Sequence, residues 1–264
     1  MAEYQHNATI VAREDFNPEL SAIRIQPDDA GTIYDFDPGQ YAEVAIIEPP
    51  LDPSAPPAKL VRRQFSIASA KGDTRGLEFY IVLVRDGYLT PKLWKLGVGD
   101  RIWMNPKVKG KFTLDPVPPG KDLVMIATGT GLAPFLSMHR TYGQENPPWR
   151  RFTIIHGARY ERDLGYRREL EDLAASDPHF FYISSLTREP EGSTWQGRRG
   201  RVGTILTDGT YEKVVGSAFV PDDCQVFLCG NPAMIDETQT LLESRGFQLH
   251  KKKEPGNIHI ERYW

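Results

Sequence analysis

Thr128-Gly129-Thr130-Gly131-Leu132-Ala133-Pro134-Phe135 follows an apolar run over 123–127 and leads into a helical pattern. A junction of this kind can bind phosphate. Glycines let the main chain approach a ligand closely, and the unpaired N–H groups at a helix start attract an anion. Pro134 stands where the usual dinucleotide fingerprint has its third glycine, and proline suits an early helical position. The same residues also serve as a plain strand-to-helix turn. A second feature bears on the choice: ten arginines and no lysine lie between Arg150 and Arg201. Arginine suits planar, two-pronged contact with phosphate. Arg159 and Arg188 fall just past predicted strands, at the edge where open parallel sheets take their ligands. Ion pairs with Glu161, Asp163 and Glu169 account for about half of these arginines; a nucleotide carrying an extra phosphate accounts for the rest. In the N-terminal half, Arg63-Gln64-Phe65-Ser66 puts a cation, an aromatic ring and a hydroxyl within one predicted strand. Alternation places Arg63 and Phe65 on one face and Gln64 and Ser66 on the other. A strand with one solvated face would look the same.

Two kinds of element must position these groups. Up to about residue 115 the chain reads as short strands over 8–12, 22–25, 41–47, 63–68, 77–84 and 101–104, with a helical turn over 91–96. The breakers Asp37-Pro38-Gly39, Asp86-Gly87 and Gly97-Val98-Gly99-Asp100 separate them. This pattern predicts a small antiparallel β-barrel. Five prolines between Pro49 and Pro57 mark a loop to which the sequence assigns no role. From residue 123 the runs over 123–127, 153–158, 181–186 and 225–228 are almost continuously apolar, as in strands buried on both faces. Helical patterns over 132–142, 166–175, 203–207 and 233–245 alternate with them, which predicts a parallel sheet with crossover helices. The boundary falls in Asp115-Pro116-Val117-Pro118-Pro119-Gly120, giving domains 1–117 and 118–264.

Composition narrows the class. The net charge of -3 and pI near 6.1 argue against a protein that coats nucleic acid or an anionic membrane. Two cysteines, separated by four residues, form neither a disulfide scaffold nor a CxxC pair, so a reducing cytoplasm is expected. The start shows no signal-peptide pattern, and the uncharged stretch 123–138 is too short and too broken to span a bilayer. Six histidines without ligand spacing point to no metal.

Arg63-Gln64-Phe65-Ser66 resembles the Arg-x-Tyr/Phe-Ser flavin motif of the ferredoxin–NADP reductase family. Thr128-Gly129-Thr130-Gly131-Leu132-Ala133-Pro134 resembles that family's nicotinamide-nucleotide loop, and Cys229-Gly230-Asn231-Pro232-Ala233-Met234 its Cys-Gly-x-Pro-x-Met segment. Phe36-Asp37-Pro38-Gly39-Gln40-Tyr41 and Leu96-Gly97-Val98-Gly99-Asp100 match as well, so the resemblance covers nearly the whole chain in order. The ending Glu261-Arg262-Tyr263-Trp264 is most similar to the bacterial flavodoxin/ferredoxin–NADP reductases.

The resemblance implies a two-domain protein: an FAD-binding antiparallel barrel, then an NADP-binding α/β domain. It assigns Arg63 to the FAD pyrophosphate, Phe65 to stacking on the flavin, and Ser66 to the neighbourhood of flavin N5, with Gln64 between them. Most relatives have tyrosine at the position of Phe65, so stacking is kept while a hydroxyl hydrogen bond is lost. Tyr80, Ile81 and Val82, then Tyr88, Leu89 and Thr90, match further flavin contacts, and Thr128 one from the second domain. Gly129, Thr130 and Gly131 fall to the nucleotide, as do the phosphate arginines Arg159 and Arg188. The third such arginine aligns best with Arg201 and alternatively with Arg198.

Tyr263 and Trp264 are implied at the FAD adenine, or else cap the barrel. Cys229 is implied at the nicotinamide, or else is a small core residue. Glu261 matches a carboxylate near the active site of some relatives. The implied activity is reversible passage of a hydride from NADPH to FAD, then of single electrons to ferredoxin or flavodoxin, by a monomer. Lys251-Lys252-Lys253 would steer an acidic carrier or form a solvated face. A flavin reductase or the reductase component of an oxygenase is the rival reading on the same two domains. A non-catalytic sensor or an electron-transfer subunit is a third.

Overall fold

The computed structural model describes residues 4–29, 35–48, 59–143 and 147–262. It comprises two compact units, Met1–Thr113 with Leu136–Thr141, and Leu114–Phe135 with Tyr142–Trp264. The first is built on β1 (Ala8–Asn17), β2 (Leu20–Pro27), β3 (Tyr41–Glu48), β4 (Lys59–Ser66), β5 (Leu77–Val82) and β6 (Arg101–Met104), with the single-turn helix α1 (Thr90–Leu93).

Alternation makes these strands. Leu77, Phe79 and Ile81 face a core shared with Ile10, Ile23, Ile25, Val44, Ile102 and Met104, while Glu78 and Val82 are only half-buried on the opposite face. The strand order is β4-β3-β6-β1-β2-β5, antiparallel throughout. A bridge from Ile67 to Phe79, with the Ala68 N–H donating to the Glu78 carbonyl at 2.8 Å, joins the two edge strands and closes the sheet into a barrel. Asn17 sets the first hairpin, its Oδ1 accepting the Glu19 N–H at 2.8 Å. Beside the closure, Glu78 receives Arg24 and Arg140, both at 2.6 Å. The proline-rich segment 49–58 lies outside the described residues.

The second unit holds β7 (Asp122–Thr128), α2 (Ala133–Tyr142, whose later residues pack in the first unit), β8 (Arg151–Ala158), α3 (Arg167–Ser176), β9 (Phe180–Leu186), β10 (Arg198–Arg199), α4 (Thr210–Val215), β11 (Cys224–Gly230), α5 (Pro232–Ser244) and β12 (Ile258–Arg262). All six strands are parallel, in the order β10-β9-β8-β7-β11-β12. Central strands buried on both faces explain the unbroken apolar runs: every residue of β11 is buried.

The expected helix over 203–207 is a 3₁₀ turn, Val202–Leu206. Three elements escape the sequence pattern, one of them the two-residue edge strand β10. Helix α4 is six residues between Gly209 and Gly216, too short to show a period. Strand β12 is an edge strand carrying His259, Glu261 and Arg262, whose polarity hides it. Among the described residues no helix is long and apolar enough to cross a membrane.

Candidate active site

The strand order of the second sheet reverses between β7 and β11: from β7 the chain moves to β8 on one side and later returns to place β11 on the other. The crevice beyond the carboxyl ends at such a reversal is where open α/β sheets bind ligands. Here it is flanked by Thr128-Gly129-Thr130-Gly131 after β7 and Cys229-Gly230-Asn231 at the end of β11. The two loops are in van der Waals contact. A Cβ on Gly131 would overlap the Cys229 carbonyl, and one on Gly230 would overlap the Thr128 hydroxyl. Asn231 is the N-cap of α5, its Oδ1 accepting the N–H groups of Ala233 at 2.9 Å and Met234 at 3.4 Å, with Pro232 in the first turn. This is an anion-attracting helix start at the reversal point.

Cys229 is fully buried and lies in register with Glu261 on β12, so these two expected site residues are neighbours. Cys224, at the other end of β11, is buried as well, and burial pushes its thiol up to about 11. It is an inert core residue.

The arginines sort themselves by partner. Arg150 grips the fully buried Asp122 with Nε at 2.8 Å and Nη2 at 2.9 Å, and Arg151 lies at 3.3 Å from the same carboxylate. Arg167 pairs with Glu161 and Glu171 and covers the Trp195 ring. Arg198 pairs with Asp208, and Arg199 donates to the carbonyls of Glu189 and Pro190. Arg159, just past β8, is exposed and only 3.8 Å from Asp163. Arg188, just past β9, is exposed with no side-chain partner among the described residues. The Arg188 N–H donates to the Arg159 carbonyl at 2.9 Å, so the two guanidinium stems start side by side. Arg201, expected as the third, is drawn to Glu237 on α5, and that partner was not legible in sequence. From β9 to β11 is three strand spacings, ~14 Å, so the arginine pair and Cys229 stand at separate points along one edge.

In the first unit, Arg63, Gln64, Phe65 and Ser66 end β4 opposite Val44, Glu43, Ala42 and Tyr41. Arg63 is exposed, and among the described residues its side chain donates only to the Arg62 carbonyl. The nearby carboxylate, Glu43, is held below the usual range by a 2.7 Å hydrogen bond from the Asn105 amide, with Lys109 and Arg62 each at 3.9 Å. Phe65 is half-buried, packed edge-on to Phe79 at 6.4 Å, and Ser66 is buried. The barrel closure pairs Ile67 with Phe79, so the end of β4 runs beside β5, which carries Tyr80, Ile81 and Val82. Tyr80 is buried edge-on to Phe16 at 5.7 Å.

The turn after β5 is closed by Thr90, whose hydroxyl accepts the Val84 N–H at 3.0 Å and donates to the Val84 carbonyl. Leu89 is buried there, and Tyr88 is exposed with Lys92 3.8 Å from its ring centre. Tyr263 and Trp264 lie outside the described residues. Lys251 is occupied by Glu254 at 2.9 Å, while Lys252 and Lys253 are exposed. Among the described residues no group of His, Cys, Asp or Glu could hold a metal ion.

A closed antiparallel barrel, then a parallel sheet whose reversal point carries glycine loops and a helix start and whose same edge carries exposed arginines farther along, defines a dinucleotide-dependent two-domain protein. The oxidoreductase NAD-binding domain family matches residues 125–240. The chain is 34% identical to the flavodoxin/ferredoxin–NADP reductase of Escherichia coli over 77% of its length and 81% of that protein. It is 32% identical to the ferredoxin–NADP reductase of Pseudomonas aeruginosa, over 76% and 79%. A ferredoxin NADP+ reductase structure from Neisseria gonorrhoeae, with bound FAD and NADP, superposes with a TM-score of 0.82 at 25% identity and covers 98% of both chains. The chain belongs to the flavodoxin/ferredoxin–NADP reductase family, whose members are FAD- and NADP-dependent oxidoreductases.

Proposed function

We propose that this chain is an FAD-dependent reductase that takes hydride from NADPH and returns electrons singly to ferredoxin or flavodoxin, in either direction. The observation that carries the reading is the adjacent, exposed pair Arg159 and Arg188 on the same sheet edge as the glycine loops, Arg159 held only by a 3.8 Å contact to Asp163 and Arg188 with no side-chain partner among the described residues. A dinucleotide phosphorylated on its adenosine ribose would place that phosphate on the arginines, its diphosphate on the loop N–H groups, and its nicotinamide toward Cys229. Arg201 completes the phosphate set when it exchanges Glu237 for the ligand. Arg63 would hold the FAD pyrophosphate, which its exposure and lack of a carboxylate partner among the described residues suit, and Phe65 offers a ring for stacking. Ser66, together with Tyr80, Ile81 and Val82, then lines the flavin. Gln64 and the Tyr88, Leu89 and Thr90 turn complete that site, with Thr128, Tyr263 and Trp264.

When bound, FAD supplies the conversion between a two-electron donor and a one-electron acceptor. The chain's residues bind, orient and exclude water. Ser66 offers a hydroxyl at the reacting edge, Cys229 a small polarisable surface, and Glu261 a carboxylate one strand away. We place the protein in the cytoplasm as a monomer without a nucleic-acid partner, which its two buried free cysteines and net charge of -3 support.

The test is the absorption spectrum of the purified protein, followed by anaerobic addition of NADPH. A yellow protein bleached by NADPH, and re-oxidised by ferredoxin or flavodoxin, is the expected result. A colourless protein that NADPH cannot reduce even with FAD added would overturn the reading.

A further inference from the structure

His156 on β8 and Tyr182 on β9 have no part in the chemistry above, yet together they hold the glycine loop. The imidazole is fully buried, with Nδ1 3.2 Å from the Tyr182 hydroxyl and Nε2 3.2 Å from the Gly129 carbonyl oxygen. A carbonyl oxygen can only accept, so Nε2 carries the hydrogen. Nδ1 is then the acceptor and the tyrosine hydroxyl the donor. Burial pushes this histidine down to about 4, so the ring is neutral at physiological pH, and this single tautomer satisfies both contacts.

Gly129 lies in left-handed backbone, φ +53, and opens the 3₁₀ turn Gly129–Leu132 between β7 and α2. In a trans peptide the C=O and the following N–H point in opposite directions. Tying the Gly129 carbonyl to the buried imidazole therefore turns the Thr130 N–H away from β8, and the first N–H groups of a helical turn have no partner within it. Without the tether a glycine peptide would be free to flip, since glycine populates both signs of φ. The second side of the loop is held independently by the close approach of Gly131 to Cys229.

We propose that Tyr182 and His156 are positioning residues that lock the Gly129–Thr130 peptide so that the Thr130 N–H addresses the diphosphate of the bound dinucleotide. The inference rests on the NADP reading of this edge. It differs from a packing role because it depends on one donated hydrogen and not on the volume of the ring.

The experiment uses the full-length, FAD-loaded chain and two probes: NADP+, and adenosine 2′-monophosphate, which lacks the diphosphate. His156→Leu should weaken NADP+ about tenfold, the loss of one oriented hydrogen bond. It should leave adenosine 2′-monophosphate within about twofold, and raise KM for NADPH with little change in kcat. His156→Gln, which can return an N–H donor to the Gly129 carbonyl, should restore most of the loss. Tyr182→Phe should act in the same selective direction with a smaller effect, and it carries the test if His156→Leu does not fold. Unchanged NADP+ affinity in these variants, or equal weakening of both probes, would overturn the proposal. So would failure of His156→Gln to improve on His156→Leu. If the unmodified chain binds neither probe, the NADP reading itself fails, and this inference with it.

Discussion

The Asn231 N–H donates to the Thr128 hydroxyl oxygen at 2.8 Å, clasping the loop after β11 to the end of β7 where the strand order reverses. Two segments about a hundred residues apart in sequence are thus joined by one short contact. Gly230, at φ +133, brings the backbone close enough for it, and any side chain there would meet Thr128.

Gly230→Ala forces both a strained backbone and an overlap, so it should cost ~2–4 kcal/mol and lower the melting temperature by several degrees. Thr128→Val keeps the shape but removes the acceptor, leaving the Asn231 N–H unpaired, and should cost ~1–2 kcal/mol. Thermal unfolding of the two variants, with NADPH-dependent turnover measured alongside, checks both. Equal stability of Gly230→Ala and the unmodified chain would contradict the geometry.

Arg188→Ala should raise KM for NADPH roughly 10- to 100-fold, the range for a charge-assisted contact of ~1.5–3 kcal/mol, with kcat changed far less. NADH use should be nearly unaltered because that nucleotide lacks the extra phosphate. Steady-state kinetics with the two donors decide the matter. If NADPH use were unchanged while NADH use fell, the arginine pair would not be the phosphate site.

Arg63→Ala should release FAD during purification, seen as a lower ratio of flavin absorbance to protein absorbance and recovered by adding FAD. Phe65→Tyr should retain FAD at least as well as the unmodified chain, since stacking is preserved and a hydroxyl is added. Full flavin content after gel filtration of Arg63→Ala would remove Arg63 from the site.

His156 and His259 are both held neutral by burial, which lowers them from the ordinary 6.5 to about 4 and about 3. His259 is stacked on Phe227 at 4.3 Å, and its Nε2 lies 2.8 Å from the side-chain amide oxygen Oε1 of Gln225. The unfolded chain therefore binds more protons than the folded one below about pH 6.5. Stability should fall as the pH drops from about 6.5 toward 4, by on the order of 3 kcal/mol per histidine. Urea unfolding between pH 4.5 and 8 measures the slope, and His259→Phe should make it shallower. A flat profile across that window would refute the assignment.

Asp122 is wholly buried and received by Arg150, Arg151 and the Ser217 hydroxyl at 3.2 Å. Asp122→Ala should cost ~1–3 kcal/mol, because it removes a buried acceptor shared by two arginines and a hydroxyl and leaves a gap in the core, without altering the ratio of NADPH to NADH use. Denaturant midpoints and the donor ratio, read together, separate this structural arginine site from the ligand site.

Sequence alone determined the architecture class and most of the strands, because alternation and unbroken apolar runs are local records of one-sided and two-sided burial. It also marked the loop after β7 as a strand-to-helix junction, since Gly129 and Gly131 carry their conformational demands in their own chemistry. What it left open was decided by pairing across long separations. Position past a predicted strand singled out Arg159 and Arg188 among ten arginines, but only the fold showed Asp122, Asp208 and Glu237 claiming Arg150, Arg198 and Arg201 and leaving that pair exposed. His156 was a lone histidine in an apolar strand until the sheet set it between Gly129 and Tyr182, 27 and 26 residues away. Strand β12 was hidden by its charges, and only its place beside β11 put Glu261 next to Cys229. The physical reason is the same in each case: a residue's type and spacing limit what it can bond to, and only the folded chain decides which partner arrives.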